Sequence, residues 1–398
     1  MSLKPWASGS VLERRDFALL LTVLQEEGYR TIGPTVRDGA IVFAEIAGEA
    51  DLPSGRTARA EPGSYRLEEV SQPRLFAYPP PPNGAKPFLF HPRRHLWSAQ
   101  QSGLSVRVEP TAPDATPTAL IGLRACDLRA IEIQDRVFLQ SGAVDVGYQA
   151  AREAAFLVGV NCGGSAPTCF CASVGSGPVV TAAHDLCLTE LLDENGHRFL
   201  LSAGTEKGAR ILGRLPTRPA VDLDLGAAEA AAANANRMQT RRLQTEGLKE
   251  RLYAHAEHSR WSEVAQRCLA CGNCTSVCPT CFCSTVEDKS DLSGSRTDRV
   301  RLWDSCFNTE FSYIHGGSVR SSVMSRYRQW LTHKLAAWQD QFGSLGCVGC
   351  GRCIAWCPAG IDMVEEANAV GRAAIDRAAV EPPGPASLVA AAEAFSQR

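Results

Sequence analysis

Charge of either sign is not in excess in this sequence, whose 398 residues include 41 Lys and Arg against 43 Asp and Glu. General binding of nucleic acid needs a basic excess, so the near-neutral balance argues against a nucleic-acid partner. Long apolar runs are also lacking, and none approaches the ~20 residues that a membrane-spanning helix needs. We therefore expect the chain to bind neither nucleic acid nor membrane.

The usual phosphate-binding motifs are missing as well. No G-x-G-x-x-G follows a predicted strand, and no G-x-x-x-x-G-K-[ST] occurs in the sequence. Nothing resembles a Ser/His/Asp triad or a pair of catalytic carboxylates, which argues against hydrolysis. Any nicotinamide or flavin chemistry is therefore expected on a partner subunit.

The sequence also has no recognisable secretion signal. Arg14 and Arg15 precede a short apolar run, but the run stops at Glu26 and no small-residue cleavage site follows. We therefore expect a cytoplasmic protein. In the cytoplasm thiols stay reduced, and clustered cysteines bind metal more often than they form disulfides.

Cysteine, by contrast, is abundant, because the chain has 16 and eleven of them follow residue 267. Eight of the eleven fall into one spacing that occurs twice. The two copies are Cys268-x2-Cys271-x2-Cys274-x3-Cys278-Pro279 and Cys347-x2-Cys350-x2-Cys353-x3-Cys357-Pro358. Three cysteines spaced by two residues wrap a short loop around one face of a cubane, and the fourth leaves on a turn. The spacing predicts two [4Fe–4S] clusters.

The fourth cysteine of each motif decides how the ligands are shared, because in two-cluster ferredoxins it binds the other cluster. The first cluster is therefore assigned to Cys268, Cys271, Cys274 and Cys357, and the second to Cys347, Cys350, Cys353 and Cys278. A zinc ribbon is the alternative. Zinc ribbons use paired C-x2-C knuckles without the triple spacing and the terminal Pro, so the spacing favours clusters.

Three further cysteines, Cys281, Cys283 and Cys306, lie between the two motifs. They either contribute to metal binding, as an extra site or a substitute ligand, or pack as small apolar residues around the clusters. The sequence leaves both alternatives open.

Another group of cysteines lies far from the motifs. Cys126 and Cys162 each follow a predicted apolar strand, and Cys169 and Cys171 lie in the loop after the second strand. The carboxyl ends of parallel strands meet at one edge of a sheet, where ligands bind. These four thiols either surround a third cluster or are inert cysteines beside a polar loop. Cys187, within a strand pattern, is expected in the core.

The chain consists of two regions that differ in sequence pattern, and the predicted fold class is α+β. Residues 1–225 alternate apolar strands and helices, as in Ala119–Leu123, Asp127–Leu139 and Ala155–Val160, and predict a mixed α/β domain. Within it, residues 51–117 are rich in Pro, Gly and Arg and are expected to be mostly loop.

Residues 226–380 are expected to form a mostly helical ferredoxin-type domain. The two cysteine motifs start 79 residues apart, and the insert contains the amphipathic stretch Val323–Trp338, whose apolar spacing includes Lys334. Residues 381–398, rich in Pro and Ala, are expected to be a weakly ordered tail.

Basic residues outnumber acidic ones between the two motifs. They form either a docking face for an acidic redox partner or an ordinary solvated face. The set is Arg296, Arg299, Arg301, Arg320, Arg326, Arg328 and Lys334.

Several strings of this sequence resemble one family. They are Gly122-Leu-Arg-Ala-Cys-Asp-Leu-Arg129, Asn161-Cys162, Cys169-Phe-Cys171, Cys278-Pro-Thr-Cys-Phe-Cys283 and Trp303-Asp-Ser-Cys306. With the two cysteine motifs they are similar to the beta subunit of cytoplasmic [NiFe] sulfhydrogenases, which are NAD(P)-linked hydrogenases. They are also similar to the related A subunit of anaerobic sulfite reductase. The resemblance covers residues from about 12 to 370.

The resemblance implies a non-catalytic electron-transfer subunit of an oxidoreductase complex. Its implied partners are hydrogenase large and small subunits and a subunit that binds flavin and NAD(P). It also favours a third cluster, because Cys126, Cys162, Cys169 and Cys171 all match family positions. Two alternatives stay open, namely the same role in an anaerobic sulfite reductase, and an iron–sulfur redox sensor or scaffold.

Overall fold

The computed structural model of the protein describes residues 9–378, and only the backbone of residues 371–378. The predicted tail 381–398 lies outside the described residues. In chain order the strands are β1 (Ser10–Glu13), β2 (Arg30–Arg37), β3 (Ala40–Glu45), β4 (Arg56–Glu61), β5 (Ser64–Glu69), β6 (Arg93–Ser102), β7 (Ser105–Pro110), β8 (Thr118–Arg124), β9 (Ala155–Val160), β10 (Leu186–Asp193), β11 (Gly196–Ala203), β12 (Thr217–Pro219), β13 (Ser284–Ser290), β14 (Arg296–Trp303), β15 (Tyr313–Ile314) and β16 (Gly317–Ser318).

The helices alternate with these strands in the first half of the chain and are more frequent in the second half. In chain order they are α1 (Phe17–Glu26), α2 (Lys86–Leu89), α3 (Ala125–Leu139), α4 (Val146–Ala154), α5 (Glu206–Leu212), α6 (Asp222–Met238), α7 (Leu248–Ala254), α8 (Arg260–Arg267), α9 (Asn273–Ser276), α10 (Val323–Thr332), α11 (Trp338–Phe342), α12 (Arg352–Ala355) and α13 (Met363–Ala378). A π-helical turn, His333–Ala337, joins α10 to α11.

The main sheet has eight strands in the order β12-β1-β11-β10-β9-β8-β2-β3. Its centre, β10-β9-β8-β2, is parallel, and the flanking pairs are antiparallel. Every residue of β8 and β9 is buried, as the continuous apolar sequence of these two strands predicts. Tight turns at Asp38-Gly39 and Asn195-Gly196 join β2 to β3 and β10 to β11 as hairpins.

Helices cover both faces of this sheet. On one face, Phe17 and Leu20 of α1 pack with Phe156 of β9. On the other face, Leu128 of α3 packs with Leu157 of β9. The mixed α/β character of the fold is therefore confirmed. Because β8 and β9 run parallel, both end at the edge of the sheet where Cys126 and Cys162 follow them.

Residues 51–117, which are expected to be mostly loop, also contain four strands and the short helix α2. This segment contains β4 and β5, which form a hairpin, and β6 and β7, which belong to a second sheet in the order β13-β14-β6-β7. Large apolar residues are few in these strands, and every residue of β7 is exposed, so a buried apolar face does not mark them in the sequence.

The prediction of a mostly helical second domain is not confirmed. Between the two cysteine motifs lie β13 and β14, whose antiparallel pairing continues through β14 into β6 of the first region. Most residues of β13 are exposed, so this strand also lacks the apolar signal of a half-buried strand. The two predicted regions thus share one sheet, and the boundary at residue 225 stays a prediction.

The second region has its own apolar core. Trp261 of α8 packs there with Tyr327, Trp330 and Leu331 of α10 and with Leu335 of the π-helical turn. Six motif and insert cysteines lie against this core, namely Cys268, Cys274, Cys306, Cys347, Cys353 and Cys357. The core therefore supplies an apolar wall for the candidate metal sites.

Candidate metal centres

The two cysteine motifs adopt the same local backbone. Ala270 and Gly349 occupy equivalent positions inside the first C-x2-C of each motif, and both have positive φ, 50° and 61°. The glycines that follow the second cysteine, Gly272 and Gly351, have φ of 72° and 75°. One short helix then follows in each motif, α9 or α12. The sequence repeat is therefore also a structural repeat.

Backbone N–H groups point at the sulfurs of both motifs. The N–H of Ala270 donates to Cys268 Sγ at 3.4 Å, and the N–H of Gly349 donates to Cys347 Sγ at 3.5 Å. The N–H of Ile361 likewise donates to Cys357 Sγ at 3.4 Å. Hydrogen bonds of this kind favour thiolates over thiols, and thiolates are the form that binds metal.

The thiols surround two apolar cavities in the sets that the crossover rule predicts. Cys268, Cys271, Cys274 and Cys357 line one cavity, together with Tyr327 and Trp330. The other cavity is lined by Cys278, Cys347, Cys350 and Cys353, together with Phe170 and Lys334. Cys353 also reaches the first cavity, so the two sites share a wall.

The donor set of each cavity fits an iron–sulfur cluster. Four thiols, an apolar lining and N–H groups directed at sulfur are the features that such clusters use. Among residues 9–370, whose side chains the structure describes, no three His, Cys, Asp or Glu side chains come together around a point that a single metal ion could occupy. The assignment of the eight cysteines as ligands stays a prediction.

Burial changes the acidity of these thiols. It raises the pKa of Cys274 and Cys353 well above the ordinary value, and that of Cys347 to about 12. Cys278 differs, because hydrogen bonding from Cys281 and the nearby Lys334 ammonium hold its pKa well below the ordinary value. Metal binding at the first three thiols would therefore release their protons.

The four N-terminal cysteines also line one cavity, of about 490 Å³. Cys126, Cys162, Cys169 and Cys171 reach it from the carboxyl ends of β8 and β9 and from the loop that follows. The four cysteines that were grouped from the sequence therefore lie around one cavity. Burial raises the pKa of each of them, that of Cys171 to about 12.

Two hydrogen-bond donors of this cavity were not predicted. Arg124 and Tyr78 are 2% and 5% exposed and line the cavity wall. Arg124 donates to the carbonyl oxygens of Phe76 and Tyr78 at 2.5 and 3.1 Å. Its Nε atom, like the Tyr78 hydroxyl, has no hydrogen-bond partner among the described residues. Buried donors of this kind call for an acceptor in the cavity.

The N-terminal cavity adjoins the second motif directly. Cys350 lines both this cavity and the one around Cys278. The N–H of Phe170 donates to the carbonyl of Gly349 at 2.8 Å, and a Cβ on Gly349 would lie 2.7 Å from the backbone of Cys171. The three thiol-lined cavities thus form a row joined at Cys350 and Cys353.

The three insert cysteines and Cys278 form two neighbouring pairs. Cys281 lies close enough to Cys278, and Cys283 to Cys306, for the members of each pair to shift one another's pKa. Cys281 and Cys283 line a more polar cavity of about 210 Å³, which also reaches Cys271. This position fits both alternatives for their role. Cys187, in contrast, lies buried in β10, which confirms its place in the core.

The basic residues between the motifs do not form one solvated face. Arg301, Arg326 and Lys334 are buried, at 9%, 6% and 5% exposure. Lys334 faces the cysteines rather than a protein partner. Its position on the apolar stripe of Val323–Trp338 was the sequence signal that could have located it.

Comparison with known proteins gives two matches. Residues 267–361 match the family described as a 4Fe-4S dicluster domain. The chain is 31% identical over 317 residues to the sulfhydrogenase 2 subunit beta of Pyrococcus furiosus, an alignment that covers 76% of this chain and 87% of that protein. No solved structure matches. In residues 9–378, no helix has the length and apolar character needed to cross a membrane.

Proposed function

Since this chain belongs to the family of sulfhydrogenase beta subunits, the electron-transfer iron–sulfur subunits of that enzyme class, we propose that it connects two partner enzymes. One partner comprises the large and small subunits of a hydrogenase, and the other is a subunit that binds flavin and NAD(P). We place the complex in the cytoplasm. The observation that carries the proposal is the row of three thiol-lined cavities, each of which adjoins the next.

Each cavity is assigned one cluster. The first is held by Cys268, Cys271, Cys274 and Cys357, the second by Cys278, Cys347, Cys350 and Cys353, and the third by Cys126, Cys162, Cys169 and Cys171. [4Fe–4S] clusters bound there would take up and release single electrons, at potentials set by hydrogen bonding, charge and burial.

The chain's own residues hold and shield these sites. The N–H groups of Ala270, Gly349 and Ile361 orient the sulfurs, and the apolar walls exclude water. Cys271 is exposed, whereas Cys126 and Cys350 are buried. The first site is therefore the one that a partner can approach most closely at the surface.

Metal analysis of variants tests the assignment. Anaerobically purified protein should contain about twelve irons, four for each cluster. Substituting Cys126→Ala with Cys162→Ala should leave about eight irons, since the two motif sites remain, and Cys350→Ser should lose the cluster of the second site. In the assembled complex, Cys350→Ser should abolish nicotinamide-coupled hydrogen oxidation while activity with an artificial dye remains.

The matched control is Cys187→Ala, which removes a buried cysteine that lines none of the three cavities and should change neither iron content nor coupled activity. Eight irons in the unaltered protein would contradict the third site. Full nicotinamide-coupled activity in Cys350→Ser would contradict the proposed connection.

A further inference from the structure

Lys334 is a buried lysine that lies beside the second set of motif cysteines. The residue is 5% exposed, and within residues 9–370, whose side chains the structure describes, no carboxylate oxygen lies at ion-pair distance from its Nζ. An isolated buried ammonium is costly, so a lysine in such a place requires a negative charge nearby. The contacts of Nζ show where that charge is.

The ammonium contacts a cysteine of the second site. Nζ donates to Cys278 Sγ at 3.2 Å and to the hydroxyl oxygen of Thr280 at 3.1 Å. The same side chain lines the cavity formed by Cys278, Cys347, Cys350 and Cys353, and it does not line the other cysteine cavities. Its charge is therefore directed at one set of thiols.

An irregular stretch of backbone holds Lys334 in place for this contact. The residue lies in the π-helical turn His333–Ala337, an irregularity that changes the direction of the side chains relative to an α-helix and that often occurs at functional sites. The N–H of Gly346 donates to the Lys334 carbonyl at 2.8 Å, and the Thr280 hydroxyl donates to the Gly346 carbonyl at 2.8 Å. These bonds fix Lys334, Thr280 and the start of the second motif to one another.

We propose that Lys334 is a positioning residue that raises the reduction potential of the cluster held by Cys278, Cys347, Cys350 and Cys353 above that of the cluster held by Cys268, Cys271, Cys274 and Cys357. This inference rests on the ligand assignment made under the proposed function. A reduced cluster carries one more negative charge than an oxidised one, so an adjacent fixed cation stabilises the reduced form. In the low dielectric of a buried site that stabilisation is large.

Lys86 provides a contrast within the same chain. It is also 5% exposed, but its Nζ donates to the carbonyl oxygens of Thr275 and Ser276 at 3.3 and 3.1 Å and lies 3.9 Å from the centre of the Trp303 ring. Lys86 thus lies within electrostatic range of Cys281 and Cys278 but, unlike Lys334, makes no hydrogen bond to a candidate ligand. Lys86→Met is therefore a matched control for the loss of a buried lysine.

Redox titration followed by electron paramagnetic resonance tests the inference. The full-length protein is prepared anaerobically as wild type, Lys334→Met, Lys334→Gln, Lys334→Arg and Lys86→Met, and iron content is measured for each. In Lys334→Met and Lys334→Gln, one cluster signal should become at least tenfold harder to reduce, a shift of about 59 mV to lower potential. Lys334→Arg, which keeps the charge, should restore most of the potential, and Lys86→Met should shift that signal less.

Two results would overturn the inference. One is an unchanged midpoint in Lys334→Met at full iron content. The other is an equal shift in Lys334→Arg, since arginine retains the cation. A missing cluster in Cys350→Ser tests the ligand assignment separately, so the two failures can be told apart.

A measurement on the wild type covers the case in which the Lys334 variants fail to assemble. Protein labelled with lysine carrying ¹⁵N at Nζ should show nuclear coupling to one reduced cluster signal and not to the others. Absence of coupling on every signal would overturn the contact on which the inference depends.

Discussion

Gly349 is a glycine for two reasons that can be separated by experiment. Its φ of 61° disfavours any side chain, and a Cβ there would lie 2.7 Å from Cys171 backbone atoms. Gly343, at the end of α11, has a similar φ of 67° but open space around the Cβ position. Substitutions at Gly343 and Gly349 therefore separate the cost of backbone strain from the cost of close approach to Cys171.

We expect Gly343→Ala to cost about 1 kcal/mol of unfolding free energy, the usual cost of alanine at a left-handed position. Gly349→Ala should cost about 2–4 kcal/mol, because overpacking adds to the same strain. It should also reduce the iron content of the N-terminal site by separating Cys171 from the second motif. Thermal unfolding and iron analysis check both effects, and equal results for the two variants would contradict the close approach.

At the residue scale, cysteine spacing was a better guide than charge. The spacing predicted the thiol sets that surround two cavities, since ligand geometry depends on a few residues close in sequence. Lys334 and Arg124 were not recognised as buried donors. Their environments depend on segments far away in the sequence, and a basic side chain alone does not reveal what it faces.

At the N-terminus of α4, one aspartate caps the helix and pairs with two arginines. Asp145 caps the helix by accepting from the N–H groups of Gly147 and Tyr148 at 3.0 and 2.9 Å. Its carboxylate also pairs with Arg94 of β6 at 3.0 Å and with Arg301 of β14. The cap therefore joins the main sheet region to the second sheet.

Asp145→Ala should lower the unfolding free energy by about 3 kcal/mol, because the cap is lost and two mostly buried arginines become unpaired. Asp145→Asn keeps a capping oxygen and should cost about 1 kcal/mol less than alanine. Thermal unfolding of the two variants measures the difference. Equal destabilisation by both would show that the cap contributes nothing.

The acidity of Asp145 adds a pH dependence. Burial alone would raise its pKa, but the Tyr148 N–H and the Arg301 guanidinium outweigh burial and lower it. A lowered pKa in the folded state means that the stabilisation is complete above the unfolded value of about 3.9 and is lost as the pH falls below it. The difference in unfolding free energy between wild type and Asp145→Asn should therefore become smaller at acidic pH.

At the scale of the elements, the strands that could be predicted from the sequence are those with an apolar pattern. β8 and β9 are buried at every residue and were predicted to within a few residues, because a short continuous apolar run is typical of a strand covered on both faces. β7 is exposed throughout and β13 nearly so, and both are held by backbone pairing in a shared sheet. A strand held in this way needs no buried apolar face, so its sequence carries no burial signal.

At the scale of the whole molecule, the two predicted regions are joined by several contacts. β14 pairs with β6, Lys86 of the first region donates to Thr275 of the second, and Arg352 pairs with buried Asp127 at 2.7 Å. Each of these contacts crosses the predicted boundary at residue 225. The regions are therefore expected to behave as one folding unit.

Cleavage between Thr245 and Glu246 tests this expectation. Both residues are exposed in the segment between α6 and α7, so a protease site introduced there should be cut without disturbing the core. The two fragments should elute together in size-exclusion chromatography and retain all their iron. A C-terminal fragment that elutes alone with two clusters would instead support the independent ferredoxin domain that the sequence predicts.

The burial of Cys126 and Cys350 between the two regions has a consequence for biogenesis. An assembly protein cannot deliver a cluster to a thiol enclosed by folded chain, whereas Cys271 stays open at the surface. We expect maturation to follow the geometry, with the enclosed sites loaded while the chain is still closing and the Cys271 site filled last. Cells short of iron would then accumulate protein that lacks its outermost cluster first.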